Sequence, residues 1–131
     1  MEFEIPQSPY VINEDLIQLF SDEKIYVEAD VVDGIIVKFT VVKEITDQSK
    51  TITIEFNQIK DDNNSKIHKF MMLEITNPFN RNLEYKANVY LVRYNRWWYN
   101  TSTIPVRANL TSYESWPDIL LSIVLYDFVL K

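Results

Sequence analysis

A chain of 131 residues is the length of one ordinary domain, and with 47 % of its residues hydrophobic it can bury a core without covalent staples. It has no cysteine and a single glycine, Gly34, which excludes disulfides, zinc–thiolate and iron–sulfur sites, cysteine nucleophiles, glycine-rich phosphate loops and dinucleotide fingerprints. A net charge of −6 argues against nucleic acid as a partner, because phosphate neutralisation needs a basic field.

That charge is uneven. Residues 1–80 hold 7 Lys against 15 Asp+Glu, hence −8, while residues 81–131 hold 4 Arg and 2 Lys against 4 Asp+Glu, hence +2. All four arginines (Arg81, Arg93, Arg96 and Arg107) fall between positions 81 and 107. The most apolar run, Ile119–Leu130, is interrupted by Ser122 and Asp127 and is too short to cross a bilayer. The acidic start MEFEIPQ has no apolar h-region, so no signal peptide is read there.

In chain order, residues 1–9, with Pro6 and Pro9, read as an extended arm or an edge strand. Asn13–Phe20 reads either as a short helix capped by Asn13, with Leu16, Ile17 and Phe20 inward, or as a strand. From there the period is two. Ile25, Val27, Ala29 and Val31 alternate with polar residues, and after Asp33-Gly34 so do Ile35, Val37, Phe39 and Val41. Asp-Gly between two such runs predicts a hairpin, because both central residues of a type I′ turn need positive φ. Thr46–Lys50 is the next turn, Ile52, Ile54 and Phe56 mark another strand, and Asp61-Asp-Asn-Asn-Ser65 is a polar tip.

Two flanks, Lys66–Thr76 and Leu83–Tyr94, enclose Asn77-Pro-Phe-Asn-Arg-Asn82. Ile67, Met71, Leu73 and Ile75 share one face of the first; Leu83, Tyr85, Ala87, Val89 and Leu91 share one face of the second. Asn-Pro initiates a turn, which makes this a hairpin or a strand-to-strand crossing. Trp97–Thr103 reads as a strand ending before Pro105, Leu110–Asp118 as irregular, and LLSIVLYDFVL as a closing central strand covered on both sides. The stretch Leu73-Glu-Ile-Thr-Asn-Pro-Phe79, with Leu83-Glu-Tyr85, resembles the strand–Asn-Pro–strand signature of the water-stress/hypersensitive-response sandwich domains of atypical late-embryogenesis-abundant proteins. The resemblance spans only Leu73 to Tyr85, and no family is assigned on it.

The expected fold is therefore all-β: one domain over residues 1–131, an antiparallel immunoglobulin-like β-sandwich of seven to nine strands with at most one short helix.

Chemistry has little to draw on. His68, the single histidine, sits mid-strand opposite the apolar set and reads as a surface or edge residue rather than a base. The carboxylate pairs Glu2/Glu4, Asp22/Glu23, Asp30/Asp33 and Asp61/Asp62 read as solvated charge at turns and polar faces. Asp61-Asp-Asn-Asn lacks the spacing and glycine of a Ca²⁺ loop. No metal or cofactor is expected. Asn63, Asn100 and Asn109 open Asn-x-Ser/Thr sequences, which matter only in a eukaryotic secretory setting.

The constellation that stands out is Arg93, Tyr94, Arg96, Trp97, Trp98 and Tyr99. Adjacent tryptophans on a strand point to opposite faces, so one of them must leave the core. A large ring beside arginines is the composition of a recognition patch; the competing reading covers both rings, one in the core and one beneath an edge loop. Trp116-Pro117 reads as a structural anchor, and Arg107 as a partner for Glu114 or Asp118.

These residues point to a non-catalytic binding or assembly module, not an enzyme, engaging a protein partner (a second copy of the chain included) through the aromatic/arginine patch or a sheet edge. The alternatives are a carbohydrate-binding module using exposed Trp and Tyr rings and a small carboxylate-dependent enzyme. The compartment stays open, with a lean to an extracytoplasmic setting that rests on the all-β class and on Met1 standing in place of a removed leader.

Overall fold

The computed structural model describes residues 10–131; the arm expected at residues 1–9 lies outside the described residues. Ten strands follow in chain order: β1 (Val11–Ile12), β2 (Leu16–Phe20), β3 (Glu23–Val32), β4 (Ile35–Val42), β5 (Thr51–Lys60), β6 (His68–Thr76), β7 (Leu83–Leu91), β8 (Arg96–Thr101), β9 (Thr111–Trp116) and β10 (Leu120–Leu130). Every pairing is antiparallel, and no helix occurs among the described residues. The fold is an all-β antiparallel sandwich.

One layer runs β1-β2-β10-β7-β8 and the other β4-β3-β5-β6-β9. They join where β10 meets β4 at Val129–Ile35, beside a Leu130 N–H to Gly34 carbonyl bond of 2.6 Å. Inward side chains from both layers form one core cluster, in which Phe128 of β10 meets Phe39 of β4 edge-on at 4.9 Å and stacks on Tyr85 of β7.

The alternation behaves as expected through most of the chain and slips at defined places. The Asp33-Gly34 turn has φ of 50° and 77°, the two positive values a type I′ hairpin needs. Beyond it the β4 phase differs from expectation: Ile36 and Phe39 are buried, while Ile35, Val37 and Val41 are exposed. A bulge places Val37 between the Asp30–Lys38 and Val31–Ile36 pairs, and the extra residue exchanges the faces of Ile35 and Ile36 relative to Phe39, whereas Val41, opposite buried Val27, is exposed near the end of the strand. Ile67 is likewise exposed, because it precedes β6 and the ladder shifts at Ile59/Lys60.

Asn13–Phe20 is the strand alternative: a tight turn with positive φ at Asn13 and Glu14, then β2. Leu110–Asp118, expected to be irregular, contains β9. Asn77–Asn82 is the crossing alternative, since β6 and β7 do not pair but lie in opposite layers. Asn77 holds that crossing. It is 1 % exposed, and its amide N–H groups donate to the carbonyls of Arg81 (2.8 Å), Val106 (3.1 Å) and Arg107 (3.3 Å), while its Oδ1 accepts from Phe79 N–H at 2.8 Å.

β10 is central, flanked by β2, β7 and the start of β4. Its core face is buried, but Leu121, Val124 and Tyr126 on the other side are only half-buried, so it is not covered equally on both faces.

Candidate functional site

The Arg93–Tyr99 segment forms the β7–β8 turn and most of β8. The turn is tight: Asn95 has φ of 51°, Asn95 N–H donates to the Val92 carbonyl at 3.2 Å, and the Tyr90 hydroxyl donates to Asn95 Oδ1. Among the described residues β8 is the last strand of its layer and pairs only with β7. Val89 faces Trp98 and Tyr90 faces Trp97, so Trp98 shares the core-side face with Val89, and Trp97 the outer face with Tyr90.

Neither indole enters the core. Trp97 is half-buried against Tyr90, rings perpendicular (79°) with centroids 5.4 Å apart. Trp98, although on the core-side face, lies at the open rim and is 54 % exposed; Tyr94 and Tyr99 stand further out, Tyr99 at 70 %. The guanidinium of Arg96 lies 5.7 Å from the Trp98 ring centroid, and that of Arg93 5.4 Å from the Tyr94 ring centroid. Arg96, Trp97, Trp98 and Tyr99 line a shallow recess of about 460 Å³.

Composition reinforces the patch. Residues 85–113 contain Lys86, Arg93, Arg96 and Arg107 and no Asp or Glu, a local +4 that leaves −10 on the rest of a chain whose total is −6. No ion pair of Arg93, Arg96 or Arg107 forms among the described residues: the pairs present join Lys50 to Glu28, Lys86 to Asp127 and Lys131 to Glu84. The Arg107 pairing expected from sequence is absent because Glu114 turns towards the core and accepts the N–H of Ile104 instead.

β8 is not a clean strand edge. Its register with β7 shifts between Ala87 and Val89, Asn100 has φ of 52°, and the Asn88 side chain fills the gap. Asn88 Oδ1 accepts from Asn100 N–H at 2.8 Å and from the Tyr126 hydroxyl at 2.9 Å. A bulge of this kind turns an edge away from an incoming strand.

The remaining candidates sit elsewhere. His68 has both ring nitrogens engaged, Nδ1 with Gln58 Nε2 at 2.9 Å and Nε2 with the Pro117 carbonyl at 2.8 Å. A carbonyl can only accept and an amide nitrogen can only donate, so the ring carries its proton on Nε2 and ties the start of β6 to the β9–β10 turn. Asp61 Oδ1 caps its own turn, accepting from Asn63 and Asn64 N–H. Trp116 packs against the core, and its indole N–H donates to Thr101 Oγ1 at 3.0 Å, spanning the two layers.

Sequence reasoning missed a cleft of about 430 Å³ where β10 bulges at Asp127 (φ 53°), with Asp15, Glu84 and Asp127 among its lining residues. Asp127 is 3.3 Å from Lys86, and Glu84 is 3.9 Å from Lys131. The three carboxylates come from three distant stretches, and nothing local in the chain marks them as neighbours. No group of three metal-ligating side chains occurs among the described residues, and no helix there is long and apolar enough to cross a membrane. Set against family models, characterised proteins and solved structures, the chain matches none.

Proposed function

We propose that this protein is a non-catalytic binding or assembly module that engages a protein partner through the side chains of Arg93, Tyr94, Arg96, Trp97, Trp98 and Tyr99. The observation that carries the reading is Trp98, which shares a face with core residues yet stays 54 % exposed with Arg96 against its ring. A half-exposed indole is an unfilled contact, and tryptophan, tyrosine and arginine are the residue types that dominate interface energetics. The bulge at Asn100 favours the side chains over strand addition at β8.

Sugar binding is the weaker reading. Stacking on a sugar calls for rings in one plane, whereas Tyr90 and Trp97 stand at 79° and the rings of Tyr94 and Trp98 each have an arginine against them. The carboxylate-dependent enzyme is weaker still, since two of the three carboxylates in the β10 cleft face lysines.

The test is a photo-crosslinking residue in place of Tyr99, used in native extract with and without the Arg96→Ala/Trp98→Ala pair on the same chain. Specific crosslinks that unlabelled protein competes away, and that the double change removes while the circular dichroism spectrum is unaltered, are the expected result. Crosslinks indifferent to the double change would place the interface elsewhere.

A further inference from the structure

The second open edge, β9, differs from β8. It pairs with β6 over six consecutive residues without a register shift, from Met71–Trp116 to Thr76–Thr111. Among the described residues it has no backbone partner on its other side. Alternate N–H and C=O groups on that side are therefore free to pair.

A groove runs beside that free edge. The chain leaves β8, passes along the lower end of β7 through the Val106–Leu83 bridge, turns at Arg107–Leu110 and returns as β9. Between the outgoing and returning segments lies a cleft of about 260 Å³, with Ile104, Pro105, Arg107, Leu110 and Tyr113 on its walls. Ile104, Leu110 and Tyr113 are each more than half exposed. Glu114 faces the core at the far end and is held by Ile104 N–H, so the accessible half of the edge is Thr111–Tyr113.

We infer that this groove accepts an extended acidic segment of a partner protein, added to β9 as a further strand. An apolar side chain of the segment enters the cleft between Ile104, Leu110 and Tyr113, and a neighbouring carboxylate meets Arg107. Main-chain pairing at an edge supplies affinity in this mode, and pockets for alternate side chains supply specificity. Arginine is the suited receptor because its planar fork grips a carboxylate in two places. Arg107, which forms no ion pair among the described residues, sets the sign of the partner. A second copy paired β9 to β9 would offer Arg107 only Glu114, which already accepts the Ile104 N–H. The inference rests on the protein-binding reading above but uses a separate surface, so the two can fail separately.

The probe is a blocked eight-residue peptide alternating glutamate with valine, compared with its lysine counterpart and with a copy N-methylated at alternate backbone positions. The full chain is used throughout. Expected are slowed amide exchange confined to Thr111–Tyr113, binding about tenfold tighter than the lysine peptide, and loss of both on N-methylation or in Arg107→Glu. Arg93→Glu/Arg96→Glu, on the other edge, leaves amide protection in place. Equal binding of the N-methylated copy would overturn strand addition and leave only a charge contact. Equal binding of the lysine peptide, or no protection at β9, would overturn the acidic partner, as would a concentration-dependent dimer lost in Arg107→Glu. None of these outcomes bears on the crosslinks at Tyr99.

Discussion

The two edges on the open side of the sandwich, β8 and β9, make opposite use of the same sequence chemistry. β8 interrupts its ladder at Asn88/Asn100 and displays Trp98 and Tyr99, so its contact surface is made of side chains. β9 keeps an unbroken ladder and displays backbone beside a groove. An open edge is a hazard unless something blunts it. The bulge does so for β8; for β9 the inward Glu114 blunts only the end nearest Trp116. Exposed apolar side chains at the β3–β4 hairpin tip (Val31, Val32, Ile35 and Val37) lie among Asp30, Asp33 and Lys38 and lack both the aromatics and the unpaired arginines of the β8–β9 side.

Asn77→Asp strikes the crossing on which the β9 groove depends. Asn77 Nδ2 donates to three carbonyls, two of them on the segment that forms the outer wall of the β9 groove. A carboxylate there is buried against those carbonyls with no donor to meet them, a change expected to cost roughly 3–5 kcal/mol. Urea denaturation should show either no folded baseline or a large fall in midpoint. A change under about 1 kcal/mol would mean that the crossing is held by packing instead.

Next is Asn88→Ala, which acts on β8 alone. Asn88 Oδ1 satisfies Asn100 N–H and the Tyr126 hydroxyl, so removing it leaves two donors short and should cost about 1–2 kcal/mol. Amide exchange should accelerate at Asn100 and Thr101 while β9 keeps its protection. Acceleration spread equally over both edges would mean that they open as one unit.

Smaller again is Arg96→Ala/Trp98→Ala. With both side chains at the rim, the cost in stability is expected below about 1 kcal/mol, and partner capture should fall without a change in melting behaviour. Unfolding by the double change would return Trp98 to the core and remove the patch.

How much of this was legible in the sequence follows from where local pattern suffices. Asp33-Gly34 marked its hairpin because the turn's backbone requirement is local. The phase of β4 was not legible, since one bulged residue, Val37, inverts it and leaves no mark on composition. β9 escaped for another reason. Its inward positions are Ser112, Glu114 and Trp116, and two polar residues out of three erase the apolar alternation that announces a strand. The Arg93–Tyr99 patch could be read because one hairpin carries all of it. The groove could not, because Ile104 and Tyr113 meet only through a turn and a layer change that the sequence does not announce.

The smallest expected effect lies between the two edges. Tyr85 is buried in the core beneath Thr103, whose hydroxyl donates to its carbonyl at 2.9 Å, and its own hydroxyl has no hydrogen-bond partner. Burial, and secondarily the charge of Glu114, holds that hydroxyl well above its ordinary value of 10.0. An unpartnered hydroxyl contributes nothing that phenylalanine lacks, so Tyr85→Phe should be neutral or stabilising by up to about 1 kcal/mol at pH 7. The advantage of phenylalanine grows in alkali. Below pH 10 both states hold the proton; above it the unfolded chain releases the proton and the folded one retains it, so unfolding becomes more favourable as pH climbs past the unfolded value. Stability of the parent chain should therefore fall more steeply between pH 10 and 11 than that of Tyr85→Phe, and denaturant midpoints across that window measure the difference. Parallel curves would mean that the Tyr85 hydroxyl reaches water, and that the space between β8 and β9 is open down to the core.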